Sequence, residues 1–215
     1  MAPFRDAAVC WEENKGSVDP DVLVVPATAI KGALSHRVAF HYNALKEIFA
    51  ETLAEEGKTP LDVTGENNLA VRELFGYCKN STEKDEKNTG QRGRVIMDDL
   101  YFSRAFERKH LQSQVIPHVG IDRFTGGARD SVLFSERPFW KGESMEIQLR
   151  ILDVENIEDA PSVLLAFRRA VEDLASGRLA FGAGSGRGLG RFEQEPGSPI
   201  CWPEAIRSVL EEGGR

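Results

Sequence analysis

Two stretches of the chain place apolar residues at the spacing of an amphipathic α-helix. The first predicts a helix from Thr28, in the N-cap position, to about Glu56, and the second predicts one that starts at Asp159–Ser162 and stops at Gly177. The apolar stripe of the first helix consists of Ile30, Leu34, Val38, Leu45, Ile48, Phe49 and Leu53, and that of the second of Val163, Leu164, Phe167, Val171 and Leu174.

Short apolar or alternating runs predict the strands. These runs lie at residues 4–11, 22–25, 95–102 and 145–152, with one more strand after Gly190. Shorter helices are predicted at 69–75 and 202–210, and a turn at 12–21. This order predicts an α+β fold: one ferredoxin-like domain over residues 1–215 with insertions. The charged segment 79–94 contains no apolar anchor and predicts a mobile insertion.

Residues 118–137 predict a projecting β-hairpin. Strand-like sequence on both sides encloses two adjacent glycines, two arginines and Phe124. Glycine permits positive φ at a hairpin tip, and exposed arginines can meet an anion. The alternative is an ordinary surface hairpin in which Asp122 and Asp130 pair with Arg123 and Arg129.

Charge and composition narrow the possible functions. The net charge of −7 argues against a protein that binds nucleic acid over its whole surface. Two segments nevertheless contain basic residues and no acid: 22–46, with Lys31, Arg37 and Lys46, and 177–192, with Arg178, Arg187 and Arg191. Such segments are compatible with local binding of a phosphate backbone.

No apolar run approaches the roughly 20 residues that cross a bilayer, so no membrane partner is predicted. Three cysteines, far apart in the chain, favour free thiols in a reducing cytoplasm. The four histidines lack the spacing of metal ligands, so no metal site is predicted.

Five glycines alternate with other residues from Gly182 to Gly190. They leave backbone N–H groups uncovered, and Arg187 and Arg191 add positive charge, so this loop can lie against a phosphodiester chain. A tight turn that needs glycine only for packing is the alternative. The loop matches neither a Walker A nor a Rossmann pattern, and no nucleotide cofactor is predicted.

Three segments together resemble signature motifs of the RAMP superfamily of CRISPR-associated proteins. They are Val25–Arg37, similar to I-P-G/A-S/T-S-L-K-G-x-L-R; Ile121–Phe134, similar to I-D-R-x-T-G-G-A…L-F; and Gly182–Gly190, similar to the C-terminal glycine-rich loop. Weaker matches at Leu74–Gly76 and Gly93–Asp99 occur in the same order, and the resemblance spans about residues 22–192. The second motif is that of the backbone subunits of type III effector complexes.

The resemblance implies a structural subunit that binds CRISPR RNA, stacks along it and splays the guide–target duplex with a protruding hairpin, the thumb, at 118–137. The RNA-binding residues that it implies are Thr28, Lys31, Gly32, Ser35, His36, Arg37, Arg123, Phe124, Thr125, Arg129, Gly184, Ser185, Gly186, Arg187 and Arg191. The implied partners are CRISPR RNA, target RNA, copies of itself or related RAMP subunits, and a large signalling subunit, with no cofactor.

One feature departs from the family pattern. The family's opening strand and the target-cleaving aspartate after it lie well upstream of the lysine motif, whereas only 30 residues precede Lys31 here. A structural role, or a piece of a longer fusion, is therefore favoured over catalysis. The alternative is an endoribonuclease that cleaves complementary target RNA with Mg²⁺ and Asp19 or Asp21, or that processes guide RNA with His36 as general acid/base. A third hypothesis, a small-molecule-binding α+β domain, predicts no salt-sensitive affinity for RNA.

Overall fold

The computed structural model describes residues 5–12, 15–79, 89–102, 112–140, 144–204 and 206–208. For residues 5–12, 15–21, 79, 89 and 140 only the backbone is described. The chain divides into two compact units. The first contains the described residues of Met1–Pro26 and Asp99–Ile147, and the second those of Ala27–Asp98 and Gln148–Arg215.

The described residues form short antiparallel sheets and separate helices. The strands are β1 (Arg5–Glu12), β2 (Lys15–Val25), β3 (Gly76–Lys79), β4 (Thr89–Arg92), β5 (Val95–Ile96), β6 (Leu100–Phe102), β7 (Gln112–Ser113), β8 (Ile116–Ile121), β9 (Ala128–Glu136), β10 (Phe139–Trp140) and β11 (Arg150–Ile151). The α-helices are α1 (Ala27–Leu45), α2 (Ala50–Glu55), α3 (Leu69–Phe75) and α4 (Ala160–Ala175). The predicted α+β class is confirmed, while the finer ferredoxin-like topology stays a prediction.

The first unit contains a three-stranded sheet in the order β1-β2-β6. Its buried side chains include Val22, Val24 and Phe102. The turn predicted at 12–21 is wrong for 15–21, because pairing with β1 extends β2 back to Lys15. The register shifts so that Pro20 falls in a β-bulge, where a residue without an N–H group is tolerated.

The same unit contains the predicted hairpin. Strands β8 and β9 pair in antiparallel register from Ile116 opposite Glu136 to Ile121 opposite Ala128. The tip closes through two backbone hydrogen bonds, from Asp122 N to Gly127 O and from Gly126 N to Asp122 O, both 2.9 Å long. A second strand pair, β7 with β10, belongs to this unit as well.

Helices α1 and α4 form the core of the second unit. The buried residues of α1 are Ala27, Ile30, Leu34, Val38, Ala39 and Tyr42, and those of α4 include all five residues of its predicted stripe. The prediction that the first helix runs to Glu56 is wrong. The chain leaves α1 after Leu45, because Glu47 takes a left-handed conformation with φ 57°, and it becomes helical again only at Ala50.

Helix α3 has the predicted bounds. The Asn68 side chain caps it by accepting a hydrogen bond from Val71 N at 3.2 Å, and Gly76 ends it with φ 80°. A partly buried ion pair connects this helix to the segment before β5. Arg94 Nη1 donates to the side-chain carboxylate of Glu73 at 2.6 Å and to the backbone carbonyl oxygen of Glu73 at 3.0 Å.

Other predicted strands are corrected by the structure. Residues 95–102 form two strands rather than one, since β5 pairs with β11 while β6 pairs with β2. Exposure alternates along 144–151 as predicted, yet only Arg150–Ile151 pairs with another strand. After the glycine loop, the described residues show one isolated bridge, from Ser176 to Glu193, in place of the predicted strand.

Two predicted segments lie partly outside the described residues. The ends of segment 79–94 belong to the β3–β4 pair, and residues 80–88 are not described. In the predicted C-terminal helix 202–210, residues 204 and 206–208 are helical. No helix in the described part of the chain is long and apolar enough to cross a membrane.

Candidate nucleic-acid interface

One flank of α1 presents four of the predicted RNA-binding residues. Thr28, Lys31, Gly32 and Ser35 follow the i, i+3, i+4, i+7 spacing that places side chains on one side of a helix. Thr28 and Gly32 are exposed, and Lys31 and Ser35 are half-buried. Within the described residues, no side chain of this flank makes a hydrogen bond or ion pair. Thr28 is not the N-cap, since the helix already begins at Ala27.

Gly32 has no role in packing within the described structure, because a Cβ atom at this position would meet nothing within 4 Å. Glycine inside a helix costs roughly 0.5–1 kcal/mol relative to alanine. A ligand that approaches the backbone closely beside Lys31 would give this glycine a function. The flank that consists of Thr28, Lys31, Gly32 and Ser35 is called the lysine flank below.

Arg37 lies on a different side of the helix. Its separation of six residues from Lys31 places the two side chains about 120° apart around the axis. Arg37 Nε donates a hydrogen bond of 2.5 Å to Asp173 Oδ2, and the guanidinium group lies 4.7 Å from the centroid of the Phe40 ring. The resemblance to the family implied that Lys31 and Arg37 both hold guide phosphates at the start of the helix. The structure instead places the two side chains on different sides of α1.

Asp173 connects α1, α4 and the chain that enters the glycine loop. Its Oδ2 accepts hydrogen bonds from Arg37 and from His41 Nε2, the latter at 2.7 Å, and its Oδ1 accepts one from Arg178 Nε at 2.8 Å. Its backbone carbonyl accepts the N–H groups of Arg178 and Leu179 at 2.9 and 3.0 Å. The Asp173 residue is only 4% exposed.

Two opposing effects act on the Asp173 carboxyl group. Burial alone would raise its pKa, but hydrogen bonds from His41 and Arg37, together with the charges of Arg37 and the contact with Arg178, hold the pKa below its ordinary value. The group is thus a carboxylate at neutral pH, and its negative charge orients the donors around it.

Sequence reasoning missed Asp173, His41 and Arg178, although one signal was present. Asp173 occupies a position on the apolar stripe of α4, beside Leu174 and three residues after Ala170, both buried. An acid on the buried face of a helix is rarely found without partners, so the stripe itself predicts a paired carboxylate.

A second carboxylate joins the C-terminal part of α1 to the start of α4. Asp159 accepts hydrogen bonds from Tyr42 Oη at 3.1 Å and Ser162 Oγ at 3.0 Å, and Lys46 Nζ lies 2.7 Å from it. Burial and then the negative charge of Asp159 raise the pKa of Tyr42 to about 12. These contacts use Lys46, so this basic residue of the acid-free segment serves the fold.

The glycine loop contains glycines of two kinds. Gly190 has φ 73°, and a Cβ atom there would overlap the carbonyl oxygen of Phe181. Its own carbonyl accepts the N–H of Phe181 at 3.1 Å, and the Phe181 ring stacks on that of Phe192 at 4.7 Å. This glycine is required for packing, as the alternative in the sequence analysis proposed.

The other kind faces open space. A Cβ at Gly182, Gly186 or Gly188 would meet no atom within 4 Å, although the φ values of 84° at Gly182 and 82° at Gly188 favour glycine for backbone reasons. Ser185–Arg187 forms a single 3-10 turn between Gly184 and Gly188, so Gly184, Ser185, Gly186 and Arg187 stand together at the tip of the loop. Ser185, Gly186, Arg187 and Arg191 are exposed. Backbone at these open positions is accessible to another chain, as the prediction of a phosphodiester contact requires.

The hairpin tip of the first unit is held by Asp122. Its Oδ1 accepts the N–H groups of Phe124 and Thr125, both at 2.9 Å. Hydrogen bonds from Thr125 N and then Phe124 N lower the pKa of Asp122. The pairing of Asp122 with Arg123 that the alternative required is not observed among the described residues. Arg129 and Asp130 likewise form no ion pair among the described residues.

Phe124 at the same tip is fully exposed at 100%. Arg123, Thr125 and Arg129 are exposed as well. The hairpin thus presents an aromatic ring and two arginine side chains, a combination that suits stacking on a base and contact with phosphate.

The three candidate catalytic residues do not assemble in the described structure. Asp19 and Asp21 lie in β2, where Asp19 pairs with Ala8, and only their backbone is described. His36 is exposed on α1. Among the residues whose side chains are described, no three His, Cys, Asp or Glu groups come together as metal ligands. Cleavage of RNA by Asp19, Asp21 or His36 stays a prediction.

Comparison with models of protein families places the chain in a known family. The family model described as the RAMP superfamily matches residues 16–193, most of the chain. The matched range includes the lysine flank, the hairpin, Asp173 and the glycine loop. No curated protein is significantly similar in sequence to the chain.

The Asp173→Asn substitution should lower the free energy of unfolding by about 3 kcal/mol, because it leaves the partly buried Arg37 without its counterion. Since the pKa of Asp173 is depressed in the folded state, its stabilisation is present above the unfolded pKa of about 3.9 and is lost as the pH falls through the folded value. Urea titrations between about pH 7 and pH 3 should show the variant losing less stability on acidification than the wild type.

Asp98→Asn is the matched control. It removes an exposed carboxylate that pairs with Arg150 at 3.5 Å, and it should cost no more than about 1 kcal/mol. If Asp173→Asn is as stable as this control at neutral pH, Asp173 does not organise the second unit.

Proposed function

The chain belongs to the RAMP superfamily, and from this premise we propose that it is a guide-RNA-binding structural subunit of a type III CRISPR effector complex. The coarser assignment, a CRISPR-associated RNA-binding protein, follows from membership in the family. The finer proposal is that the subunit stacks along the CRISPR RNA, together with related RAMP subunits or copies of itself and a large signalling subunit. Its hairpin then acts as the thumb that splays the guide–target RNA duplex.

The lysine flank is the observation that carries the proposal. It places a cationic side chain beside a glycine that nothing in the described structure requires. This combination suits a phosphodiester backbone, because Lys31 can pair with its negative charge and Gly32 lets it come close to the helix surface. The small Thr28 and Ser35 side chains on the same flank add hydroxyl donors for phosphate oxygens.

The charge distribution supports local binding over general binding. A protein with a net charge of −7 repels polyanions on average, so its contacts with RNA must be concentrated where acids are missing. The lysine flank and the glycine loop both lie in such segments. Base stacking on Phe124 would add affinity that is independent of sequence, as a subunit that binds many different guides requires.

Lys31→Ala should weaken binding of a single-stranded RNA of mixed sequence by roughly fivefold at about 0.1 M salt. One lost phosphate contact should also make the slope of log affinity against log salt shallower by about 0.7. Fluorescence anisotropy with a labelled RNA over a range of salt concentrations measures both quantities.

Lys58→Ala serves as the control with the same loss of charge, since Lys58 is exposed and pairs with Glu56 at 2.8 Å. Equal affinities and slopes for both variants and the wild type would contradict a phosphate contact at Lys31. A wild-type protein without any salt-dependent affinity for RNA would contradict the proposed function. Cleavage of complementary RNA by the same preparation tests the separate prediction for Asp19, Asp21 and His36.

Gly32→Ala should change stability and binding in opposite directions. Alanine is the better helix former and meets no atom here, so the free energy of unfolding should rise by about 0.5–1 kcal/mol. The added methyl group should nevertheless weaken RNA binding, because it separates the backbone from the phosphate. A variant that is stabilised and binds RNA as well as the wild type would show that no ligand approaches Gly32.

A further inference from the structure

The two arginine side chains on Asp173 are bound in an unusual way, since each uses only its Nε atom. Arg37 Nε donates to Oδ2 at 2.5 Å and Arg178 Nε donates to Oδ1 at 2.8 Å. Among the described residues, the terminal nitrogens of these two guanidinium groups make no hydrogen bond. Each group therefore keeps its outer N–H donors available for a ligand.

Burial decides which way the cluster faces. The Asp173 side chain is 6% exposed, whereas those of Arg37 and Arg178 are 29% and 65% exposed. The carboxylate thus lies at the base of the cluster, and the guanidinium groups extend from it towards solvent.

The cluster also has surplus positive charge. Two guanidinium groups share one carboxylate, so at least one positive charge lacks a counterion within the cluster, whatever the protonation of His41. The nearby Glu172 does not compensate it, because Glu172 pairs with Arg168 at 2.7 Å. An anion is the ligand that such a cluster attracts.

We propose that Arg37 and Arg178, oriented by Asp173, form a binding site for a backbone phosphate of single-stranded RNA. Guanidinium groups recognise phosphate through paired N–H donors, and fixing their planes beforehand reduces the entropy that binding would cost. Asp173 fixes both groups, and Phe40 packs against that of Arg37. Asp173 is a positioning residue in this site, since its oxygens are occupied by the arginines and do not face the ligand.

This site adds Arg178 to the RNA-binding residues and separates Arg37 from the lysine flank. Its place in the chain connects it with the glycine loop, because Asp173 O also accepts the N–H groups of Arg178 and Leu179, just before Gly182. The inference rests on the proposed function, since it names the ligand group and the residues for one part of the same interface.

Arg178→Gln in the full-length protein tests the site, with a labelled single-stranded RNA of mixed sequence as the probe. The variant should bind roughly ten-fold more weakly than the wild type at about 0.1 M salt, and its salt slope should be shallower by about 0.7. Arg169→Gln is the matched control, since Arg169 is exposed on α4 and makes no ion pair within the described residues. It should bind like the wild type.

Arg178→Lys separates geometry from charge. Lysine keeps the positive charge but cannot donate to Asp173 and present paired donors at the same time, so its affinity should also fall below that of the wild type. Circular dichroism and thermal melts establish that each variant is folded before its affinity is compared.

The possible outcomes distinguish a failure of the Arg37–Arg178 phosphate site from a failure of the proposed function. If the wild type binds RNA with a salt-dependent affinity and Arg178→Gln matches it, the site is overturned and the proposed function stands. If Arg178→Lys equals the wild type while Arg178→Gln is weaker, only charge matters and the oriented pair is overturned. If the wild type itself shows no salt-dependent binding, the proposed function fails and the site fails with it.

Discussion

A single buried carboxylate connects α1, α4 and the chain that enters the glycine loop in the second unit. Asp173 is surrounded by donors from α1 and from the chain that enters the glycine loop, and burying it without them would be highly unfavourable. The same contacts fix where Arg37 and Arg178 stand and where the glycine loop begins. The interaction that stabilises the fold is thus also the one that shapes the proposed interface. An acid can stand at the centre of the proposed basic site, because the single charge of Asp173 orients Arg37 and Arg178 but neutralises only one of them.

The glycine loop combines a position that packing requires with positions that are open to another molecule. Gly190 allows the chain to pass against Phe181, and any larger residue would collide with its carbonyl oxygen. A Cβ would meet nothing at Gly182 and Gly188, but their positive φ values of 84° and 82° favour glycine there, whereas Gly186 and Gly32 have neither a contact nor a positive φ that requires glycine. Packing is thus confirmed at Gly190, whereas the approach of a ligand at the open positions stays a prediction. In the first unit, Asp122 stabilises the hairpin tip by accepting the backbone N–H groups of Phe124 and Thr125. The side chains of Arg123 and Phe124 are exposed at this tip.

Regular patterns in the sequence were sufficient for some elements. The stripe positions Ile30, Leu34 and Val38 of α1, the stripe of α4, the bounds of α3 and the hairpin follow from local rules, and the structure confirms them. Features that depend on distant partners were not accessible. No glycine or proline marks the end of α1 near Glu47, β2 extends to Lys15 only because β1 pairs with it, and alternation at 144–151 reflects burial rather than strand pairing. The resemblance placed Lys31 and Arg37 in one motif as residues that bind guide RNA, although helix geometry alone puts them on different sides of α1. The role of Asp173 could be predicted only from its position on the apolar stripe of α4, which indicates a buried carboxylate with partners.

The most direct test of the account is whether the chain retains guide RNA in cells. The protein would be purified from cells that express it with a matching CRISPR array and from cells that lack the array, and the RNA extracted from each preparation would be separated on a denaturing gel. The account predicts a discrete RNA species that is present only with the array. No RNA in either preparation, or the same heterogeneous RNA in both, would contradict it.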